Sequence, residues 1–208
     1  MVGSVGILFD EDGSLWITSL GDGMRRAPFP DSLGGGKIPE FSSTIESFTT
    51  KDGLSSDYVM CILKDREGSI WVGTSAGLDR FRKGALVPIL LPAKFTMKAL
   101  VAGDNGDILA GSLSAALARI EGNTWQRMEP AYAILYGLRD SRGITWLLDS
   151  ARGPDDLPTY RVSRLEKRRL ALVAQAPDTS TTSDWARFWP WTAPVRSGLE
   201  TDRVVSSF

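Results

Sequence analysis

The chain has 208 residues and a formal net charge of −1, from 24 lysine and arginine and 25 aspartate and glutamate residues. This balance gives no electrostatic reason to bind nucleic acid or an anionic membrane. The sequence contains no histidine, which excludes Ser-His-Asp and Cys-His nucleophile pairs and the usual histidine-bearing zinc sites. The one cysteine, Cys61, excludes an internal disulfide, and we expect it to fill a buried strand.

A short phrase occurs four times along the chain: an acidic and polar turn closed by glycine, then an apolar strand that usually carries tryptophan. The copies begin at Asp10, Asp65, Asp104 and Asp140, and their glycines lie 55, 38 and 37 residues apart. Self-similarity at such a period indicates one supersecondary unit stacked on copies of itself. A period near 38, with strands and no helical pattern, predicts a β-propeller, whose blades have about 40 to 50 residues each.

The strands that follow these turns are apolar on consecutive positions, at residues 15–17, 70–72 and 146–148. A sheet with one wet face would alternate apolar and polar residues, so both faces of these strands are predicted to be covered. A blade packed between two neighbouring blades meets this requirement. We therefore expect Trp16, Trp71 and Trp146 to lie between blades.

Each turn has a chemical explanation. Aspartate or asparagine can accept a hydrogen bond from its own backbone two residues on, and glycine takes the positive φ of a tight hairpin. Gly13, Gly68, Gly106 and Gly143 are thus predicted to be structural and not part of a ligand cradle.

Two further phrases recur in register. A Gly-Leu-x-[Ser/Thr]-Asp-x-Val phrase occurs in residues 53–59 and in residues 198–204. An arginine followed by an apolar residue leads into a polar turn at Arg80, Arg119 and Arg164. The predicted unit is a Gly-Leu phrase, a strand, the acidic turn, the tryptophan strand and an outer hairpin.

Residues 52–81, with Asp-Gly-Leu-Ser-Ser-Asp-x-Val, then Asp-x-x-Gly-Ser-Ile-Trp-Val-Gly-Thr, then Gly-Leu-x-Arg-Phe, resemble the two-component regulator propeller repeat. The similarity extends to residues 5–26 and, less fully, to 97–125 and 134–173. The resemblance implies an extracytoplasmic sensor propeller of a bacterial histidine kinase or hybrid two-component system.

We expect an all-β chain that forms a partial β-propeller of about four four-stranded antiparallel blades. The blades are predicted at approximately residues 1–48, 49–92, 93–130 and 131–196, with a terminal stub strand at 197–208. A complete propeller of this family resembles a closed ring of seven blades and needs roughly 280 residues. The chain is therefore expected to be a piece of a longer protein.

Departures from the repeat unit indicate where a ligand would bind, since insertions into repeats often map to the binding face. They occur at residues 28–40, 149–159 and 177–194. Aromatic rings beside polar groups suit sugars and other small ligands. The candidate ligand-binding residues are Trp185, Arg187, Trp189, Trp191, Arg152, Asp155 and Asp156. Packing of an outer strand is the alternative role for Trp189 and Trp191.

The predicted function is a ligand-sensing binding module that recognises a small molecule such as an oligosaccharide, without catalysis, cofactor or metal. A propeller-type lyase or hydrolase and a protein-interaction scaffold are the alternatives. Expected partners are the remaining blades and signalling domains of a longer chain, with self-association through open propeller edges. No stretch approaches the roughly 18 to 20 apolar residues of a membrane helix, so no membrane contact is expected here. The resemblance implies a periplasmic or other extracytoplasmic location.

Overall fold

The protein folds into four four-stranded antiparallel sheets, each made of four consecutive strands. The computed structural model describes residues 4–28, 45–91, 95–103, 105–113, 116–128, 133–152, 158–166 and 169–175. Sheet 1 contains β1 (Ser4–Phe9), β2 (Leu15–Ser19), β3 (Met24–Ala27) and β4 (Glu46–Phe48). Sheet 2 contains β5 (Val59–Lys64), β6 (Ile70–Thr74), β7 (Leu78–Arg82) and β8 (Ala85–Ile89).

The other two sheets repeat the same order of strands. Sheet 3 contains β9 (Met97–Ala102), β10 (Ile108–Ser112), β11 (Ala116–Glu121) and β12 (Thr124–Met128). Sheet 4 contains β13 (Ala133–Arg139), β14 (Thr145–Arg152), β15 (Pro158–Glu166) and β16 (Arg169–Gln175). The helical structure in the described residues is a single 3-10 turn at Thr50–Asp52. The predicted all-β architecture with four four-stranded blades is confirmed, while the stub strand expected at 197–208 lies outside the described residues.

The sheets stack through their first strands. β1, β5, β9 and β13 lie side by side in that order, and the other strands of each sheet extend away from them. We call the end of the sheets where first strands begin the leading end, and the end with the acidic turns the turn end. In each sheet, the face toward the following sheet is the forward face.

Three apolar cores fill the spaces between consecutive sheets. Trp16, Met24, Val59, Ile70 and Val72 belong to the core between sheets 1 and 2. Trp71, Leu78, Met97, Leu100 and Ile108 belong to the next core, and Ala99, Leu109, Leu117, Ile134 and Leu147 to the third. Each sheet between two others therefore contributes to two cores.

In sheet 2, the consecutive apolar residues of the second strand divide between two cores, as predicted for a covered sheet. In sheet 1, Ile17 is 37% exposed, so only one face of residues 15–17 is covered. Trp71 lies in the core with sheet 3, whereas Ile70 and Val72 lie in the core with sheet 1. Trp16 and Trp71 are 0% and 2% exposed. Trp146 occupies the same position on the forward face of sheet 4 and is half-buried.

An arginine on the third strand stands opposite the tryptophan position in every sheet. The pairs are Trp16 with Arg26, Trp71 with Arg80, Leu109 with Arg119, and Trp146 with Arg164. The guanidinium carbon lies over the indole at 5.6 Å in sheet 1 and 5.4 Å in sheet 2. Such cation–π contacts contribute about 0.5–1 kcal/mol at exposed sites. They explain the arginine at this position in sheets 1 and 2.

The glycine of the second strand allows the next sheet to approach closely. A Cβ built on Gly73 would lie 2.4 Å from Cys61 Sγ and 2.7 Å from Met97 Cβ. A Cβ on Gly111 would lie 2.5 Å from Ile134 Cγ2. Met97 and Ile134 belong to the first strand of the following sheet, so the Trp-Val-Gly-Thr motif sets the distance between sheets.

The acidic turn is closed by the backbone hydrogen bond that the sequence predicts and by two more. Gly13, Gly68, Gly106 and Gly143 have φ between 76° and 81°. Asp65 Oδ1 accepts from the N–H groups of Glu67 (2.9 Å) and Ser69 (2.8 Å). Its Oδ2 accepts from the Trp71 indole N–H at 2.7 Å. One carboxylate thus fixes both the turn and the tryptophan that follows it.

Sheet 3 builds this turn differently. Gly103 donates to the Asp107 carbonyl as Asp65 donates to the Ser69 carbonyl, so Gly103, and not Asp104, occupies the first turn position. A Cβ on Gly103 would lie 2.2 Å from Asp107 Oδ1, because that carboxylate fills the space. With Leu109 in place of tryptophan, Asp107 pairs instead with Arg119 at 2.8 Å. In sheet 3 the carboxylate is therefore carried by Asp107 at the end of the turn, and its ion pair with Arg119 takes the place of the hydrogen bond to an indole.

We expect Gly73→Ala to destabilise the protein by about 1–3 kcal/mol, because the added methyl group overpacks the contact with Cys61 and Met97. Gly77→Ala is the matched control, since its Cβ would meet Ser55 Oγ at an ordinary 3.6 Å. Urea unfolding followed by tryptophan fluorescence measures both variants. Equal stability of the two variants would contradict the role assigned to Gly73.

We expect Asp140→Asn to flatten the acid side of the stability profile. Hydrogen bonds from the Ile144 N–H and the Trp146 indole lower the pKa of Asp140. A lowered pKa stabilises the folded state above the unfolded value near 3.9, and this contribution is lost as pH falls below it. Unfolding free energies between pH 5 and 2 should therefore decline less steeply in Asp140→Asn than in the wild type. Glu11→Gln removes an exposed turn carboxylate and should keep the wild-type slope.

Candidate ligand-binding site

Most of the ligand-binding residues predicted from sequence lie outside the described part of the chain. These are Trp185, Arg187, Trp189, Trp191, Asp155 and Asp156. Arg152 ends β14, where its backbone pairs with Pro158 of β15. Their role in binding stays a prediction.

The insertion predicted at residues 149–159 is partly regular structure. Residues 149–152 continue β14, and 158–159 belong to β15, so the departure lengthens a hairpin at the leading end. Asp149 is buried there and accepts from Arg161 Nε at 2.7 Å and Ser163 Oγ at 2.8 Å. It is a structural carboxylate, because its charge is paired inside the sheet.

The predicted insertions do not all belong to one end of the sheets. The segment at 28–40 joins β3 to β4, whose adjoining ends lie at the turn end. The 149–159 hairpin lies at the leading end, and the chain also leaves β16 at the leading end. Two of the three departures therefore follow strands that end at the leading end.

A groove of about 480 Å³ runs along the axis on which the four first strands meet. It is lined by residues 6–7 of β1, 60–63 of β5, 98–100 of β9 and 135–137 of β13. Ligand pockets commonly measure about 300–1,000 Å³, so this groove has room for a small molecule.

A β-bulge occurs at the same position in all four first strands. One residue lies between each pair of register partners: Val5, Met60, Lys98 and Leu135. Bulges redirect side chains and often border functional sites. Met60, Lys98 and Leu135 all line the groove. The repeated bulge therefore supplies much of its lining near the leading end.

The lining combines one fixed positive charge with apolar and aromatic surface. It includes Lys98 and the Tyr136 ring, which is 61% exposed, and no carboxylate among its described residues. Burial raises the pKa of the Cys61 thiol to about 12, so this thiol is protonated at neutral pH and is not a nucleophile. No group of three or more metal-ligating side chains occurs in the described residues. These groups suit binding by stacking and charge.

The sequence alone did not identify the groove. Its bulges depend on the register between strands, which repeat alignment at the turns does not show. Aligning the first strands would have placed Lys98 beside Met60 and Leu135, and a lysine among apolar equivalents is the signal that was available.

At the leading end, a buried carboxylate holds the Gly-Leu phrase of sheet 2. Asp79 is fully buried and accepts from the Ser55 N–H at 2.9 Å and Ser55 Oγ at 2.6 Å. Burial raises the pKa of Asp79, and the two bonds from Ser55 oppose this shift. Ser55 satisfies both carboxylate oxygens, so Asp79 positions the loop before β5.

The fold and its repeats define the class of protein as a β-propeller segment built of four-stranded blades. The family model described as Two component regulator propeller matches residues 53–76, from the Gly-Leu phrase to just beyond β6. The resemblance predicted from the sequence is thereby confirmed: the chain carries a two-component regulator propeller repeat. No curated protein is significantly similar to it in sequence.

Solved structures with the same fold include extracellular domains from B. thetaiotaomicron. One is from BT3049, described as a hybrid two component system, with a TM-score of 0.56 and 13% identity over 77% of this chain and 29% of that one. Another is from BT4673, also described as a hybrid two component system, with a TM-score of 0.59 and 12% identity over 82% of this chain and 25% of that one. The present chain thus spans less than a third of either domain.

A glucose dehydrogenase shares the fold as well, with a TM-score of 0.53 and 11% identity over 77% of this chain and 63% of that one. At such identities the similarity establishes the fold alone.

The described residues contain no helix with the length and apolarity of a membrane span.

We expect Asp79→Asn to be at least as stable as the wild type at pH 7, because the amide can keep both bonds to Ser55 without a buried charge. The raised pKa of Asp79 means that its contribution to stability is present below the unfolded pKa and is lost as pH rises through the folded value. Asp79→Ala should cost about 1–3 kcal/mol by leaving the Ser55 groups without their partner. Urea unfolding at pH 4 and pH 7 distinguishes the two variants. A large loss in Asp79→Asn would show that the charge itself is needed.

Proposed function

We propose that this chain is part of the ligand-sensing propeller of a two-component signalling protein and that it binds a small molecule, such as an oligosaccharide, at the leading end. The match of residues 53–76 to the two-component regulator propeller family supports the signalling role. The observation that carries the site is the axial groove with its four repeated bulges. We further propose an extracytoplasmic location, as in the extracellular domains that share the fold.

The groove's dimensions and its exposed tyrosine support a carbohydrate ligand. Sugar rings have apolar faces that stack on aromatic rings, and Tyr136 presents such a ring beside the groove. Arg152 and residues 177–194 follow strands that end at the leading end, so the ligand-binding residues predicted from sequence belong to the same proposal. Binding across several blades would favour one arrangement of the sheets, with an effect no larger than the ligand's differential affinity for the two arrangements.

The apolar faces of the outer sheets support a proposal about partners. Ile7 and Phe9 of sheet 1 and Leu138 of sheet 4 are largely exposed. In the inner sheets, the equivalent faces lie in cores with neighbouring sheets. Further blades of a longer chain, or a second copy, would cover these faces.

An enzymatic role is the alternative function, because a glucose dehydrogenase has the same fold. Such a role needs acidic or basic groups that converge on a cleft. Among the described residues, the buried Asp79 and Asp149 are held by structural partners, and the groove lining has no carboxylate. The present geometry therefore favours binding.

A thermal-shift screen with an oligosaccharide panel tests the proposal, because a ligand that binds only the folded state raises the melting temperature. We expect at least one oligosaccharide to raise it and Tyr136→Ala to weaken that effect. Phe9→Ala is the matched control, since Phe9 is 58% exposed and lies outside the groove lining. No response to any oligosaccharide would contradict the carbohydrate proposal. A response that Tyr136→Ala leaves unchanged would move the site away from the groove.

A further inference from the structure

Lys98 differs from the other bulged residues whose side chains line the groove. Met60 and Leu135 occupy the equivalent position in sheets 2 and 4, so an apolar residue is compatible with the bulge there. Lysine at this point brings a charge to a position where its counterparts are apolar. A structural role in the bulge does not explain the charge, because Met60 and Leu135 form the same bulge without one.

No carboxylate neutralises Lys98 within the described residues. It has neither a salt bridge nor a side-chain hydrogen bond there, whereas Lys64 lies 3.8 Å from Asp10 and Arg119 lies 2.8 Å from Asp107. The groove lining contains no acidic residue, and the nearby Cys61 thiol is protonated at neutral pH. Lys98 is therefore a half-buried residue that lines the groove without a counter-charge among the described residues.

A cation in a concave, partly apolar site attracts an anion more strongly than one on an open surface. The low-dielectric walls reduce screening by water, and a charge-assisted hydrogen bond is roughly twice as strong as a neutral one. Lysine acts as a point charge with three donors, so it can bind a carboxylate or a phosphate without the fixed geometry that arginine requires. The neighbouring Tyr136 ring can hold the uncharged part of the same molecule.

We propose that the axial groove binds an anionic sugar, with the carboxylate or phosphate on the Lys98 ammonium group and the sugar ring against Tyr136. This inference rests on the proposed function and specifies its ligand class. The contact with the anionic group then lies on β9 and the contact with the sugar ring on β13, so one ligand bridges sheets 3 and 4.

The test compares glucose with glucuronate and glucose 6-phosphate, which differ from it at the sixth carbon. Binding is measured by calorimetry with the full chain at low and high NaCl. We expect glucuronate or glucose 6-phosphate to bind at least about tenfold more tightly than glucose, as a charged hydrogen bond predicts. The tighter of the two identifies the anionic group. The advantage should shrink at high salt.

Variants of Lys98 assign the preference to this residue. Lys98→Gln should remove the advantage of the anionic sugar while leaving glucose binding unchanged, and Lys98→Arg should retain it. Lys51→Gln is the matched control, because Lys51 is exposed and lies outside the groove. The ligand-free melting temperature of each variant shows that the fold is intact.

Each alternative result overturns a different statement. Equal binding of neutral and anionic sugars, or an anionic preference that survives in Lys98→Gln, overturns this inference and leaves the proposed binding function in place. Binding of none of the three sugars overturns this inference, and if the oligosaccharide panel also gives no response, the proposed binding function is overturned as well.

Discussion

Close contact between consecutive sheets is the constraint on which the rest of the structure depends. The first strands of sheets 3 and 4 each press a side chain against the second strand of the sheet before: Met97 against Gly73, and Ile134 against Gly111. Only a residue without a Cβ fits at those two positions. The resulting contact covers both faces of the inner strands, and this explains why residues 70–72 are apolar without alternation. The hydrogen bond from the Trp71 indole to Asp65 of the acidic turn then holds this tryptophan in the same core as Met97.

The sequence predicted those features that each repeat must satisfy by itself. Turn glycines with positive φ, turn carboxylates and tryptophans between sheets follow from local chemistry and the period, and the structure has them at Gly68, Asp65 and Trp71. Features that depend on register between strands were not visible. To predict them, one must know which residues face each other across the sheet. Examples are the bulge at Lys98 and the arginine opposite each tryptophan. A third is the turn of sheet 3, where Gly103 stands at the position of Asp65 and Asp107 supplies the carboxylate.

The candidate site shows the same division. An inserted segment can be recognised in a sequence because it interrupts a repeat, and this reasoning selected residues 149–159. The structure turns part of that segment into a hairpin whose carboxylate, Asp149, is occupied by Arg161. The groove, by contrast, is formed by residues inside the repeat that differ from their equivalents only in side-chain chemistry. A search for insertions passes over such residues, whereas comparison of equivalent strand positions finds them.

The forward face of sheet 4 departs from the rule that brings the other sheets together. Beside the axis, sheets 1 to 3 place small pairs on their forward faces: Gly6 with Thr18, Cys61 with Gly73, and Ala99 with Gly111. Sheet 4 has Tyr136 with Leu148 at the same place. These side chains fill the space that the following first strand occupies at the three inner contacts. Any element that packs on sheet 4 must therefore lie farther from β13 near the axis than β13 lies from β9. The Tyr136 ring, which is largely exposed and lines the groove, therefore remains accessible to a ligand.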